Sequence, residues 1–218
     1  MTSVLKSIRS SDLLFSLVRK RRTTHKLGRE RTLQKDTITG ILRNALLVTP
    51  SSFNSQTTRM ILMLDDDNRK LWDIAERCLE DVCGDNGVPP DTKDKLEDFR
   101  GANGTVLFYE DREAVSALRS NPKFTTFAQY FNSWSDQTNA MHKYLVWSAL
   151  CTEGLGATLQ HYNPLIDQKV ADEWQINRDW ELLGQLVFGK PAGPIKEKSF
   201  LPMENRLIIH DEKQEKSG

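Results

Sequence analysis

The segment Pro50-Ser51-Ser52-Phe53-Asn54-Ser55-Gln56 decides how this chain of 218 residues is interpreted. It follows the run Asp36–Val48, whose apolar residues recur at helical spacing, and it precedes the short apolar run Arg59–Leu64, which is typical of a buried strand. Its hydroxyl and carboxamide side chains can bind a hydroxylated ligand or a heterocycle. The segment predicts a ligand-binding turn; the alternative is an ordinary helix-ending turn whose Ser and Asn side chains satisfy its own backbone.

A basic segment, Arg19–Arg31, lies about one helix upstream and has only Glu30 to oppose its cations. The guanidinium groups of Arg21 and Arg22 beside the Thr23 hydroxyl suit a phosphate. Two alternatives are a solvated helix end and a nuclear-localisation or nucleic-acid patch. The polar turn downstream favours the phosphate, so the two segments together predict a site for a phosphorylated cofactor.

Composition narrows the class of protein. The 30 Lys and Arg residues balance 30 Asp and Glu residues, so the whole chain has no field that would attract nucleic acid or an anionic membrane. Cys78, Cys83 and Cys151 form no Cys-x-x-Cys pair, which predicts reduced thiols and no metal site. No run of 18 apolar residues and no signal-peptide pattern is present. We therefore expect a soluble cytoplasmic protein, with the nucleus as the alternative compartment.

The rest of the chain mixes helical and strand patterns without an internal repeat. Helices are predicted from Ser11 or Asp12, over Asp36–Val48, around Leu71–Val82, up to Arg100, and over Arg112–Arg119, Trp134–Cys151 and Val170–Trp174. Strands are predicted over Arg59–Leu64, Thr105–Tyr109, Thr158–Tyr162, Leu182–Phe188 and Arg206–His210, with a turn at Asp65–Asp67. Because little of this order has βαβ spacing, the predicted class is α+β, as a single domain over 11–218 after a loose lead-in at 1–10.

The last predicted strand follows a proline-rich arm, about 189–218. Pro191, Pro194 and Pro202 prevent regular structure before Arg206. At about 3 Å per residue, the roughly fifteen residues of the arm are long enough to reach another subunit.

The order and spacing of Lys20–Thr24 and Pro50–Gln56 resemble those of the flavin-dependent nitroreductase family. The closest resemblance is to its compact fungal and bacterial subgroup, which is linked to fatty-acid repression and nitrosative stress. Further matching segments are Trp134–Ser135, Tyr144–Trp147, Glu153–Pro164 and Lys198–Pro202. The resemblance implies a central mixed or antiparallel sheet flanked by helices, and an intertwined homodimer that exchanges its C-terminal strand and holds FMN at its interface.

The resemblance also implies roles for the basic segment. Arg21 and Thr23 would hold the flavin phosphate and nearby ribityl groups, with a neighbouring contact from Arg22. His25 stands where many relatives have Lys or Arg near flavin N1 and O2, so stabilisation of the reduced flavin would be weaker or dependent on pH. Lys198 would bind the phosphate, and Phe200 replaces an arginine of the family pattern, for which Lys196 or Arg206 would compensate.

In the same family, the polar turn reaches the flavin of the partner subunit. The matching residues of this chain, which are expected to contact the flavin, are Pro50, Ser51, Ser52 and Asn54. Gln56 is expected to support the turn. The backbone of Gly154–Gly156 would approach flavin N5 and O4. The segment that follows supplies the remaining predicted cofactor contacts, namely Leu159, Gln160, His161 and Tyr162. His161 is also a candidate contact for the substrate, with a hydrogen-bonded structural histidine as the alternative.

The implied activity is oxidoreduction: hydride passes from NADH or NADPH through flavin N5 to a nitroaromatic or quinone-like acceptor, in a stress or lipid-linked response. No side chain is assigned as a catalytic group, because the flavin carries the chemistry. A rival is a flavin-binding regulatory or sensing protein with little turnover, which His25 and Phe200 favour. A nucleic-acid adaptor acting through Arg19–Arg29 is a third hypothesis, opposed by the neutral whole-chain charge.

Overall fold

A five-stranded antiparallel sheet forms the centre of the computed structural model, which describes residues 9–210. Its strands are β1 (Leu27–Gly28), β2 (Thr58–Leu64), β3 (Gly104–Asp111), β4 (Gly156–Gln160) and β5 (Trp180–Pro191). The order is β1-β5-β3-β2, and β4 pairs with β5 next to β1. The α+β class is confirmed, and β2 lies at an edge of the sheet.

Seven helices surround the sheet. They are α1 (Ser10–Val18), α2 (Lys35–Val48), α3 (Asp65–Cys83), α4 (Pro90–Arg100), α5 (Arg112–Arg119), α6 (Phe131–Thr152) and α7 (Asp167–Trp174). Short helical turns occupy Ser52–Asn54, Gly84–Asn86, Pro122–Tyr130 and Met203–Asn205. With 22 residues, α6 is about 33 Å long and is the longest helix within residues 9–210.

Alternating residues of the strands build two cores, one on each face of the sheet. On β3, Leu107 and Tyr109 face the core formed with α3, α4 and α7, whereas Val106 and Phe108 face the core formed with α2 and α6. The period of two is what a strand buried on both faces requires. The helices therefore cover both faces of the sheet.

The predicted turn at Asp65–Asp67 is wrong as a separate element, because α3 begins at Asp65. The backbone does reverse there, with a left-handed φ of 52° at Asp65, but the chain becomes helical at once. Three carboxylates in the first turn of a helix interact favourably with the positive end of its dipole. The acidic run is therefore a helix start.

The predicted strand at Arg206–His210 is absent from the single chain. Arg206 lies in a turn, and residues 207–210 are exposed and without regular structure. Leu207, Ile208 and Ile209 are respectively 56%, 76% and 76% exposed, which is unusual for three consecutive apolar side chains. No strand within residues 9–210 pairs with them.

The remaining predictions concern the N-terminal lead-in, membrane-spanning helices, metal sites and the cysteines. Of the predicted lead-in at 1–10, residues 1–8 lie outside the described residues, and Ser10 already belongs to α1. Within residues 9–210, no helix is long and apolar enough to cross a membrane, and no group of three metal-ligating side chains occurs. All three cysteines are free thiols.

Candidate functional site

A basic pocket of about 770 Å³ lies where the end of the N-terminal segment meets the C-terminal arm. We define the basic pocket by the residues that line it: Arg21, Arg22, Thr23, His25, Lys26, Lys95, Pro194, Lys196, Glu197 and Lys198. The structure thus brings together the predicted phosphate contacts Arg21, Arg22, Thr23 and Lys198, and with them His25, which was predicted to lie near flavin N1 and O2. Six of the lining residues carry a permanent positive charge and one, Glu197, a negative charge.

Backbone pairing fixes the floor of the basic pocket. Thr23 pairs with Ala157 in a parallel bridge, and the Thr24 amide donates to the Ala157 carbonyl at 3.0 Å. A Cβ atom on Gly156 would lie 2.9 Å from the Thr24 side chain, so only glycine allows the two segments to approach this closely. The Glu153-Gly-Leu-Gly segment, at the junction of α6 and β4, is therefore adjacent to the predicted phosphate contacts.

The arginines of the basic pocket are held from two sides. The Arg22 guanidinium donates to the Lys196 carbonyl of the C-terminal arm. The Arg21 guanidinium lies over the Trp147 ring of α6, 4.7 Å from its centroid, in a cation–π contact. Lys198 Nζ lies 5.2 Å from the centroid of the Phe200 ring, which is itself 72% exposed. Phe200 thus contacts the lysine that was predicted to bind the phosphate, although it brings no charge of its own.

The polar turn Pro50–Gln56 is strained. Phe53, Asn54 and Gln56 all have left-handed φ values, of 54°, 54° and 48°. Asn tolerates this region, but for Phe and Gln it costs on the order of 1 kcal/mol or more each. Such strain concentrates at functional sites, where the backbone has to present particular groups.

Hydrogen bonds within the turn hold that conformation. The Gln56 amide donates to Ser51 Oγ at 3.0 Å, and the Asn54 amide donates to the Ser51 carbonyl at 2.9 Å. The Arg59 guanidinium donates to the Gln56 carbonyl at 2.8 Å. Ser51 therefore stabilises the turn, while the side chain of Asn54 extends to the surface, where it is exposed.

A cluster of six aromatic side chains surrounds the turn. Phe53 lies 4.5 Å from Phe124 and 5.7 Å from Phe131, measured between ring centroids. The remaining members of this aromatic cluster are Phe127, Tyr130 and Trp134. Phe53, Phe127 and Tyr130 are 41% to 52% exposed. The cluster therefore presents ring surface to solvent beside the turn, which is what a site for a flat aromatic molecule requires.

Phe53 of the polar turn is far from the basic pocket within one chain, although Pro50 at the start of the turn lies beside Met141 and Tyr144 near the middle of α6. Arg21 contacts Trp147 near the end of α6, whereas Phe53 contacts Trp134 near its start. These two tryptophans are 13 residues apart on one helix, so the separation along its axis is about 20 Å. The two halves of the predicted cofactor site do not meet within one chain.

The structure does not bring Leu159–Tyr162 into the basic pocket. Leu159 packs on the core formed with α2 and α6, and the Gln160 carboxamide donates to Thr158 Oγ1 at 2.8 Å. Tyr162 packs edge-on against Trp72, and its amide donates to the Gln185 side chain. His161 is exposed and lies near Lys143; burial, and then the Lys143 charge, lower its pKa. Since Ala157 contacts Thr23, His161 lies about 13 Å further along the strand direction.

A buried polar network that sequence reasoning missed lies beneath the turn. Glu110 on β3 is fully buried, and it accepts hydrogen bonds from Thr58 Oγ1 at 3.2 Å and from Asn139 Nδ2 at 3.1 Å. Burial raises the pKa of Glu110, although these hydrogen bonds oppose the shift. The network ties β2, β3 and α6 together directly after the turn, so it anchors the segment that the turn leads into.

Sequence reasoning also missed Lys95 of α4 as a residue of the basic pocket. Lys95 is about 70 residues from the basic segment, and nothing in its helical surroundings distinguishes it from a solvated lysine. Lys26 was visible as part of the local basic excess, and Lys196 as a substitute for the missing arginine. Only the three-dimensional structure brings the three lysines together.

Comparison with known proteins identifies the family. The family model described as "Nitroreductase family" matches residues 18–190. This chain belongs to the nitroreductase family. The yeast protein HBN1 of Saccharomyces cerevisiae is 32% identical over 164 residues, which cover 75% of this chain and 79% of HBN1. The family and the fold make the protein a nitroreductase-like oxidoreductase.

Solved structures agree with this membership. Nitroreductase CinD from Lactococcus lactis, in complex with chloramphenicol, has a TM-score of 0.82 and 37% identity, over 91% of this chain and 100% of CinD. CinD has also been solved with 4-nitrophenol. A nitroreductase-fold protein from Exiguobacterium sibiricum, solved in complex with FMN, has a TM-score of 0.68 and 13% identity, over 96% of this chain and 100% of that chain. The nitroreductase-like fold is confirmed.

Proposed function

We propose that the protein is an FMN-dependent oxidoreductase that takes hydride from NADH or NADPH and reduces nitroaromatic or quinone-like acceptors. The observation that carries the proposal is the basic pocket, because its cations, the Thr23 hydroxyl and the close backbone of Gly154–Gly156 fit a phosphate-bearing cofactor. FMN supplies the two-electron chemistry when it is bound. The FMN held by a protein of the same fold supports this choice.

The residues of this chain would then bind the cofactor and orient it. Arg21, Thr23 and Lys198 hold the phosphate, with Arg22 fixing the arm through Lys196. The Gly154–Gly156 backbone borders the flavin ring, as the resemblance implies. His25, exposed at the edge of the basic pocket, would lie near flavin N1 and O2, as the resemblance implies.

We propose further that the active form is a homodimer with the cofactor between subunits. The separation of about 20 Å along α6 supports this, because the polar turn of one chain then completes the basic pocket of the other. The open edge of β2 and the exposed Leu207–Ile209 also support it, since an apolar segment without a strand to pair with fits an exchange between copies. Ser52 and Asn54 of the turn would reach the partner's flavin.

The aromatic cluster is the proposed wall of the acceptor site. Phe53 and Phe124 lie beside the turn and present ring faces on which a nitroaromatic can stack. The binding of chloramphenicol and 4-nitrophenol by CinD, both nitroaromatic compounds, supports this class of acceptor. The stress or lipid-linked role implied by the resemblance is part of the same proposal.

Anaerobic spectroscopy of the purified protein tests the proposal. We expect visible flavin absorbance that bleaches on addition of NADH or NADPH and returns on addition of 4-nitrophenol or 1,4-benzoquinone. A yellow protein that does not bleach would favour the rival, a flavin-binding sensor, for which His25 and Phe200 are the sequence argument. A colourless protein that takes up no FMN would contradict both functions.

A further inference from the structure

The basic pocket holds more positive charge than one phosphate requires. Its six permanent cations face one carboxylate in the lining, that of Glu197. A flavin phosphate carries a charge of about −1.5 to −2 at neutral pH, as other phosphomonoesters do. With FMN bound, the lining would therefore keep a net charge of roughly +3.

These cations have not been neutralised by the protein. Elsewhere, ten Lys and Arg residues of residues 9–210 form ion pairs with carboxylates. None of the six in the basic pocket does so in that part of the chain. Folded proteins commonly pair surface charges, and a concave cluster that stays unpaired is a typical binding site for an anion.

Two of the six cations, Lys26 and Lys95, are not among the residues assigned above to the flavin phosphate. Lys26 follows the Arg21–His25 segment, and its side-chain stem packs on the arm, where a Cβ atom added to Gly193 would lie 3.0 Å from it. The Ala192 amide donates to the Lys26 carbonyl at 2.9 Å, which fixes its backbone. Lys95 lines the basic pocket from α4, an element that supplies no other residue of the lining.

The nearby acid groups do not cancel Lys26 and Lys95. Asp98 lies one turn after Lys95 on α4, and burial raises its pKa while the charges of Lys26 and His25 act against that shift. Asp98 forms no ion pair with either lysine, so both ammonium groups remain available to a ligand.

We propose that Lys26 and Lys95 form a second phosphate subsite that selects NADPH over NADH by binding the 2′-phosphate of the donor. This inference rests on the proposed function, because it names the donor of the same reaction. NADH and NADPH both contain the pyrophosphate. Only NADPH also carries a 2′-phosphate, and the additional cations can bind this dianion. An exposed lysine–phosphate pair contributes about threefold to affinity, so the two together give about tenfold.

Steady-state kinetics and ligand binding with the FMN-loaded protein test the subsite. We expect kcat/KM for NADPH to exceed that for NADH by about tenfold, and the double substitution Lys26→Ala, Lys95→Ala to lower that ratio to near one. The matched control is Lys35→Ala with Lys93→Ala, which removes two exposed lysines outside the basic pocket, one of them from α4 itself. The control should leave the ratio unchanged.

Calorimetric titration with 2′,5′-ADP and with 5′-AMP gives a readout that needs no turnover. We expect 2′,5′-ADP to bind about tenfold more tightly than 5′-AMP, and the double variant to lose this difference while it retains FMN. Equal use of both donors, or displacement of FMN by 2′,5′-ADP, would overturn the subsite and leave the proposed function intact. Failure to oxidise either donor would instead contradict the proposed function.

Discussion

The two ends of α6 carry two different kinds of binding surface. At its C-terminal end, the basic pocket combines exposed cations from the N-terminal segment, α4 and the arm. At its N-terminal end, the polar turn is a strained backbone held by its own hydrogen bonds and by aromatic rings. One end of α6 contributes positive charge, and the other contributes a fixed backbone and ring surfaces. Trp147 and Trp134, which mark the two ends, are about 20 Å apart along the helix axis. We infer from this difference that neither end alone is a complete cofactor site, and this inference is the basis for the proposed homodimer.

The largest effect should come from removing the C-terminal segment that we propose is exchanged between two chains. A variant that ends at Pro202 keeps Lys198 and the whole basic pocket but loses Arg206–His210. We expect it to be monomeric by light scattering and to bind FMN more than about a thousandfold more weakly, because several contacts from the partner's turn are lost together. A truncated monomer that binds FMN normally would show that the basic pocket suffices alone.

A smaller effect should come from the basic pocket itself. We expect Arg21→Ala with Lys198→Ala to weaken FMN binding about a hundredfold, since two charge-assisted hydrogen bonds are lost at a partly exposed site. Equilibrium dialysis gives the Kd, and circular dichroism checks that the fold is retained. The variant Lys35→Ala, Lys93→Ala is the control for the change in net charge. An unchanged Kd for FMN in the Arg21→Ala, Lys198→Ala variant would show that the flavin phosphate does not bind in the basic pocket.

The smallest effect concerns the buried network behind the turn. Because burial raises the pKa of Glu110, the folded protein holds this proton more tightly than the unfolded chain does. Its contribution to stability is therefore complete below the unfolded pKa of about 4.3 and is lost as the pH rises through the folded value. The side chain in Glu110→Gln cannot ionise. When the pH is raised from about 5 to about 8, the free energy of unfolding of this variant should therefore fall less than that of the wild type.

Urea unfolding at the two pH values measures this difference, which we expect to be on the order of 1 kcal/mol. Asp85→Asn, at an exposed carboxylate outside the network, is the control. Parallel pH profiles for Glu110→Gln and the wild type would show that Glu110 does not titrate in this range.

The sequence allowed most of the sheet and helices to be predicted because their apolar periods were long and clear. Trp134–Cys151 was predicted as a helix and lies within α6, and Thr105–Tyr109 lies within β3. The start of α3 was misjudged because an acidic run has the same composition in a turn and in the first turn of a helix. The predicted strand Arg206–His210 does not form in the single chain, which offers it no neighbour, and its pairing with a second chain stays a prediction.

The site was predictable only where its residues are close in sequence. Arg21, Arg22, Thr23 and His25 share one segment, and the structure brings them together with Lys198. Lys95 carried no local signal, since its role depends on where α4 packs. The left-handed backbone at Phe53 and Gln56 carried none either, because neither residue type favours that conformation.

Mixed dimers test the central claim most directly. One chain carries Arg21→Ala with Lys198→Ala, which damages the basic pocket; the other carries Ser52→Ala with Asn54→Asp, which damages the turn but keeps a residue that tolerates a left-handed backbone. Purified with a different tag on each chain, the mixed dimer has one site with both halves intact and one with both damaged. We predict one tightly bound FMN per mixed dimer, although both parent homodimers bind weakly. A mixed dimer that binds FMN no better than its parents would contradict a site shared between two chains.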